Sequence, residues 1–328
     1  VIEPFRPPVE PRRRLTGRRA VVVAVAAVAV LGLAAWTLVP LWVNDSPHGP
    51  STVLGDPRTA DPCALLDPST LTKYGETSLD TDYGNFNRCD VLVSGDEDGE
   101  VRVSAEFQRL DEPPSGPSKR LAGFDVVKLG QDSDGCERKL RLYDDYYLAL
   151  SAERFVDRKY DLCGMADVAT EHALKVLGKG TIPRRDPPPA DASLIRLKAC
   201  GLFAAKAQSR FPGVDADHRE VGFADWECQW HSTSSGDTLS VSFDRDDPKN
   251  VHDGDTTTLS GHLTFVVPDG YGDDTCLVRI IHRHYTNGQA FPTVEIVKLV
   301  LRGAASPKHL CTLAAKVAAP VAAALPKV

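Results

Sequence analysis

The sequence predicts an α+β protein in which two tandem domains, each ordered helix, antiparallel sheet, helix, follow an N-terminal transmembrane helix. Three observations support this prediction: one long uncharged apolar run near the N-terminus, eight cysteines in two similarly spaced groups of four, and segments of alternating apolar and polar residues between the cysteines. A length of 328 residues with 42% hydrophobic and 25% charged content is typical of about two folded domains.

The apolar run, residues 20–43, is 24 residues long and carries no charge. As a helix it would be about 36 Å long, enough to cross a hydrocarbon core of about 30 Å. Six arginines and two glutamates precede it in residues 1–19, which predicts a basic cytoplasmic tail. We therefore expect a single-pass protein of the cell membrane, with everything after Asn44 extracytoplasmic. A secretory signal cleaved near residues 33–35 is the alternative.

Eight cysteines repeat one spacing pattern in the two halves of the chain. Their separations are 26, 47 and 27 residues in the first group and 28, 48 and 35 in the second. An even count without a C-x-x-C pair, in a chain expected outside the cytoplasm, indicates disulfides rather than a zinc site. Pairing within each repeat leaves several connectivities, and we favour first with second and third with fourth. The predicted disulfides are Cys63–Cys89, Cys136–Cys163, Cys200–Cys228 and Cys276–Cys311.

The extracytoplasmic part is predicted to comprise a stalk at residues 44–60, a first domain at 61–180, a Pro-rich linker at 181–191 and a second domain at 192–328. Proline withholds backbone donors and favours an extended spacer. Because each half has its own cysteines and its own order of elements, we expect each half to fold independently. The alternative is a closely packed pair, in which the cleft between the halves is the first place to look for a ligand.

Each half is predicted to begin with a helix at its first cysteine. "PCALLDPSTLTKYG" can be capped by Asp61 or by Asp67, and "LKACGLFAAKAQSRF" is its counterpart in the second half. Strands follow, since "RCDVLVSG", "VRVSAEFQ" and "DTLSVSFDRD" alternate apolar and polar residues. Each half then closes with a helix, "LCGMADVATEHALKVLGKG" or "HLCTLAAKVAAPVAAAL". Trp226 and Trp230 share one strand face and are expected in the core.

Short motifs around the cysteines resemble a known family. "DPCALL" before a cysteine-containing strand, and "ACGLF" before "CQW", are similar to the cysteine-paired domain of unknown function common in actinobacterial lipoproteins and membrane-anchored envelope proteins. More distantly, they resemble the extracellular sensor domain of actinobacterial serine/threonine kinases. The resemblance covers most of each half and implies a tandem repeat in the cell envelope. This chain differs in lacking a lipobox, and the family has no established chemistry.

The sequence holds few candidates for chemistry. It contains no G-x-S-x-G, H-E-x-x-H, S-x-x-K or phosphate-loop motif, so we expect neither an enzyme nor a cofactor. His282 and His284 in "IIHRHY" alternate onto one face of a predicted strand and could chelate a metal if a third ligand approached. We favour the other interpretation, in which both histidines are the polar end of a strand, and we predict no metal site.

The charge distribution distinguishes the two halves. Residues 44–180 carry 16 basic and 26 acidic side chains, whereas residues 181–328 carry 16 and 17. This acidic balance argues against nucleic acid as a partner and favours the second half for recognition. We interpret the chain as a binding or sensor-type protein of the envelope, with a partner protein or a small ligand. There are two alternatives: an enzyme of envelope metabolism that uses the histidine-rich second half, and a structural spacer.

Overall fold

The computed structural model describes residues 53–94, 100–110, 112–130, 134–143, 145–155 and 159–328, which form two seven-stranded antiparallel sheets with few helices. The first sheet contains β1 (Glu76–Asp80), β2 (Arg88–Ser94), β3 (Glu100–Arg109), β4 (Ser118–Leu121), β5 (Phe124–Lys128), β6 (Gly135–Tyr143) and β7 (Tyr146–Arg154). The second contains β8 (Val214–Val221), β9 (Glu227–Ser232), β10 (Thr238–Asp246), β11 (Asp255–Leu259), β12 (His262–Pro268), β13 (Thr275–Thr286) and β14 (Pro292–Arg302).

Both sheets have the same topology. The strand order is β1-β2-β3-β7-β6-β5-β4 in the first and, counted from the corresponding edge, β8-β9-β10-β14-β13-β12-β11 in the second. All neighbouring strands are antiparallel, as the alternating sequence pattern predicts for sheets with one face buried. The shared order indicates that the repeated cysteine spacing reflects a repeated unit.

Within the described residues, four α-helices accompany the sheets, and two of them are long. They are α1 (Leu162–Leu177), α2 (Ala199–Leu202), α3 (Ala205–Gln208) and α4 (Pro307–Ala323). The long helices occupy equivalent positions: α1 packs on β6 and β7, and α4 packs on β13 and β14. The face of α1 that meets the sheet carries small and apolar residues at helical spacing, as Met165, Ala169 and Ala173 are each 2% exposed or less.

The predicted helix-sheet-helix architecture is wrong, because the fold is richer in β-structure and no long helix opens either half. The segment at Cys63 forms two successive 3-10 helices, Pro62–Leu65 and Pro68–Tyr74, and its counterpart forms only the four-residue α2 and α3. Asp67 accepts a hydrogen bond from Ser69 N and so starts a new turn in the middle of the predicted helix. Side chains of this kind compete with the backbone pattern of an α-helix.

No helix in the described part of the chain is long and apolar enough to cross a membrane. The predicted span at residues 20–43 and the predicted tail at 1–19 lie outside the described residues. Of the predicted stalk, the structure describes residues 53–60. They run alongside the Pro-rich linker, with Ile182 N donating to Val53 O (2.8 Å) and Arg185 N to Thr59 O (2.9 Å).

The four predicted disulfides are confirmed. The structure pairs Cys63 with Cys89, Cys136 with Cys163, Cys200 with Cys228 and Cys276 with Cys311. In each half, one disulfide joins the opening segment to the second strand of the sheet, and the other joins the long helix to a central strand. Each crosslink therefore fixes a helical element to the sheet that it covers.

The two halves are in direct contact and share one continuous hydrophobic core. Phe223 of the second half stacks on Phe107 of the first, with ring centroids 5.2 Å apart. Trp226 is 3% exposed, and its ring centroid lies 5.6 Å from that of Phe86. Trp230 is also buried, so both tryptophans have the core role that the strand pattern predicts. Aromatic burial of this extent makes the contact between the halves resemble a domain core.

Candidate functional site

A cleft of about 570 Å³ lies between the two halves. Its walls come from the loop after β1, from the linker, from the end of β13 with the turn that follows, and from β14. The residues in these walls include Thr81, Asp82 and Phe86, residues 185–190, residues 285–288, and Arg245, Arg283 and Glu295. A cavity of this size lies within the range of small-molecule sites, about 300–1,000 Å³.

The end of β13 brings Arg283 and Tyr285 to the cleft. Side chains two apart on a strand point to the same face, and the guanidinium of Arg283 lies 4.5 Å from the centre of the Tyr285 ring. A shift in the pairing register between Ile281 and Arg283 places His282 at an irregularity in the ladder with β14. Such a bulge re-aims the side chains that follow it.

Glu295 of β14 is a buried carboxylate at the cleft, 1% exposed. It accepts hydrogen bonds from Arg283 Nη2 (2.5 Å), from Ser193 Oγ (2.6 Å) and from Leu194 N (2.8 Å). Arg283 and Glu295 face each other in the strand register, which holds the pair in place. The charge of Glu295 is therefore balanced inside the protein, as a buried carboxylate requires.

Arg245 of β10 reaches across the boundary between the halves. It is 3% exposed, and its guanidinium donates to the carbonyls of Thr81 (2.8 Å) and Asn85 (2.8 Å) and lies 3.4 Å from Asp82 Oδ1. The backbones of Arg245 and Gly84 also exchange two hydrogen bonds of 3.0 Å each. One side chain of the second half thus organises the loop after β1 in the first half.

Tyr285 completes this network. Its hydroxyl donates to Asp82 Oδ1 at 2.8 Å, so Asp82 receives bonds from both Tyr285 and Arg245. Burial raises the pKa of Tyr285 above the ordinary value of 10.0. At neutral pH the phenol is therefore protonated, and it acts as a hydrogen-bond donor rather than as a base.

Arg185 of the linker is partly buried in the cleft wall and is bonded differently from the other two arginines. Its Nη2 donates to the carbonyl of Phe86, its buried Nε has no hydrogen-bond partner, and no ion pair to it is present among the described residues. Burial, followed by the nearby charge of Arg245, lowers the pKa of Arg185 to about 10. The side chain stays cationic at neutral pH, without a bonded carboxylate.

The two histidines singled out in the sequence lie apart from the cleft. His282 is 4% exposed, and its Nε2 is 2.7 Å from the carbonyl of Ala192, whereas His284 is exposed. The ring of His282 stacks against that of His262 with centroids 6.0 Å apart. Within the described part of the chain, no group of three or more histidine, cysteine, aspartate or glutamate side chains could hold a metal ion.

Sequence reasoning missed the arginines of the cleft. Arg185 was part of a segment interpreted as a spacer, and Arg245 was one polar position in an alternating strand. The signals available were two adjacent arginines, "RR", inside a Pro-rich stretch, and the alternation of Arg283 with Tyr285 at a strand end. Neither signal shows that these residues meet, because Arg185 lies 60 residues before Arg245 and 98 residues before Arg283.

Comparisons with known proteins leave the family open. No protein-family model matches the chain, and no curated protein does. One solved structure, a di-domain ARO/CYC protein, StfQ, from the steffimycin biosynthetic pathway, is 9% identical over 84% of this chain and 96% of its own, with a TM-score of 0.16. A TM-score this low supports no argument about fold or function. The four disulfides fit an extracellular or secreted protein.

Proposed function

We propose that this protein is a membrane-anchored, extracytoplasmic binding protein of the cell envelope that holds a small ligand in the cleft between its halves. Four disulfides support a location in an oxidising compartment. The uncharged run at residues 20–43 and the arginines before it support a single membrane span with a cytoplasmic N-terminus. The resemblance to actinobacterial envelope domains agrees with the same location.

The observation that supports ligand binding is the cleft itself. It is walled by both halves and by the linker, and Arg245 and Tyr285 in its wall form hydrogen bonds across the boundary. Burying charged groups costs free energy, so a spacer would gain more from an apolar contact. A concave site with a few fixed polar groups is typical of a small-molecule site and favours a small ligand over a partner protein.

An enzyme is the weaker alternative. It would require His282 or His284 to meet a carboxylate in a pocket, but neither histidine lines the cleft. Tyr285, which does line it, is held in its protonated form by burial. We therefore assign no catalytic role to the cleft.

The proposal is tested by filling the cleft. Gly288 lies in the cleft wall, and a Cβ built on it meets no atom within 4 Å. Gly288→Trp therefore adds a bulky side chain to the cleft wall at a position with room for its Cβ, and Gly130→Trp is the matched control because Gly130 is equally open but outside the cleft. We expect native mass spectrometry of protein isolated from its own membranes to detect a bound small molecule in the wild type and in Gly130→Trp, but not in Gly288→Trp. Isolation of the wild type without any such molecule would contradict the proposal.

The membrane anchor is tested separately. Alkaline carbonate washing of membranes leaves integral proteins in the pellet, so we expect the full-length protein to stay there and a chain lacking residues 1–43 to be released. Release of the full-length protein by carbonate would contradict the proposed membrane anchor and favour a cleaved signal. It would not bear on the proposal that the cleft binds a ligand.

A further inference from the structure

We infer that Arg185 anchors a small oxyanion in the cleft, so that the ligand carries a carboxylate or a phosphate group. This inference rests on the proposed function and adds the chemical class of the ligand. Arg185 lines the cleft, and among the described residues no carboxylate forms an ion pair with it.

The acidic groups of the cleft are engaged. Glu295 accepts three hydrogen bonds, and Asp82 accepts from Tyr285, from Arg245 and from the hydroxyl of Thr81 (2.5 Å). Asp61 caps the backbone N–H of Cys63 at 3.0 Å. The remaining carboxylate, Asp186, is exposed, so solvent screens its charge.

The cationic groups of the cleft differ in their bonding. Arg283 is paired with Glu295, and Arg245 is paired with Asp82 and with backbone carbonyls. Arg185 has one carbonyl partner and a buried Nε without any. Its burial and its closeness to Arg245 disfavour the charge and lower its pKa to about 10, although the charges of Asp61 and Asp82 act in the opposite direction. An oxyanion bound at Arg185 would offset the cost of desolvation and the repulsion between the two guanidinium groups.

Arg185 is also preorganised for this role. Its backbone N–H donates to Thr59 O, which fixes the linker at that point. A guanidinium carries several N–H groups that match the oxygens of a carboxylate or a phosphate. Because Nη2 of Arg185 already donates to Phe86 O and its Nε is buried, Nη1 is the group left to bind an oxyanion. The adjoining wall consists of three consecutive prolines, residues 187–189, which give an apolar surface for the uncharged part of the ligand. Rigid surroundings reduce the entropy lost on binding.

The test is a calorimetric titration of the full-length protein, whose disulfides are kept intact. Three probes are added in separate titrations. Inorganic phosphate and acetate represent the two sources of an oxyanion, and acetamide is the neutral analogue of acetate. We expect saturable binding of phosphate, of acetate or of both, and none of acetamide. Arg185→Met, which keeps an apolar stem and removes the charge, should weaken anion binding at least about tenfold. Arg210→Met removes an exposed arginine that does not line the cleft and should leave binding unchanged.

Each outcome decides the inference. Binding of phosphate alone assigns a phosphate-bearing ligand, binding of acetate alone assigns a carboxylate, and loss of either in Arg185→Met supports the site. Equal binding of acetamide and acetate, or unchanged anion binding in Arg185→Met, overturns it. If Arg185→Met does not fold, Arg185→Lys replaces it, because lysine keeps the charge but lacks the guanidinium. In that case the inference is overturned if the wild type shows no saturable anion binding. A neutral native ligand that Gly288→Trp displaces would overturn it while leaving the proposed function intact.

Discussion

At the scale of single residues, Arg245 joins the two halves through one buried side chain. Its guanidinium satisfies backbone carbonyls of the loop after β1 and lies beside Asp82. We expect Arg245→Met to lower the free energy of unfolding by about 3–5 kcal/mol, because the substitution removes the buried donor of the Thr81 and Asn85 carbonyls and the cation that faces Asp82. Urea unfolding measures the change.

The exposed Arg210→Met serves as the control for this experiment and should change the free energy of unfolding by no more than about 0.5 kcal/mol. A loss in Arg245→Met as small as that of the control would show that the hydrogen bonds of Arg245 do not hold the halves together.

His282 predicts a dependence of stability on pH. Burial lowers its pKa below the ordinary value of 6.5, and its neighbours His262 and Arg283 act in the same direction, whereas the bond to Ala192 and the charge of Glu295 oppose it. Because the folded state holds this proton less tightly than the unfolded state, the contribution is fully present above pH 6.5 and is lost as the pH falls through the folded pKa.

We expect His282→Gln to flatten that part of the pH profile, since a glutamine amide can still donate to the Ala192 carbonyl but does not titrate. The measurement is the free energy of unfolding between about pH 5 and pH 8. His284→Gln, at an exposed position on the same strand, should retain the wild-type profile. Identical profiles for the wild type and His282→Gln would refute the assignment.

At the scale of elements, the turn between β8 and β9 is strained. Ala224 and Asp225 have φ values of 54° and 61°, a region that residues with a Cβ rarely adopt. Arg58 of the first half holds the turn, through Nε to Ala224 O (3.2 Å) and Nη2 to Asp225 Oδ2 (3.1 Å). The strained turn places Phe223 and Trp226 in the contact between the halves.

We expect Ala224→Gly to raise the free energy of unfolding by about 1 kcal/mol, because glycine adopts this conformation without a steric cost. Ala205→Gly, at an exposed position in α3, should lower it by about 0.5–1 kcal/mol, since glycine is unfavourable in a helix. Thermal and urea unfolding of both variants would measure the difference. A decrease in Ala224→Gly comparable to that in Ala205→Gly would contradict the strain assigned to this turn.

At the scale of the whole molecule, the two halves share a core, although the sequence predicts that each folds independently. Independent folding stays a prediction. The contacts between the halves allow a more specific prediction about the stability of an isolated half. A fragment of residues 192–328 lacks the first-half partners of Phe223 and Arg245. We expect it to unfold at a lower urea concentration than the intact chain, and mixing with residues 51–180 should restore part of the difference. A fragment as stable as the intact chain would show that the contact between the halves adds nothing to stability.

The features that the sequence by itself determined are those encoded locally or by repetition. The two cysteine quartets predicted four disulfides, and the alternation in "RCDVLVSG" and "VRVSAEFQ" predicted strands, because side-chain direction in a strand follows directly from position. The predicted opening helix of the first half is wrong at Asp67 and Pro68, where a new turn begins. The sequence offers Asp61 and Asp67 as alternative caps, but both act, and the second one divides the segment into two short 3-10 helices.

Which residues form the cleft was decided only by the tertiary structure. Arg185, Asp82, Arg245 and Tyr285 come from the linker, from a loop and from two strands, and each is unremarkable in its own segment. Their arrangement depends on how the second sheet packs against the first, which places Arg245 on a loop more than 150 residues earlier in the chain. Whether a buried charge has an ion-pair partner is decided only when the halves meet. For that reason the lack of an ion pair at Arg185, among the described residues, is a property of the folded molecule.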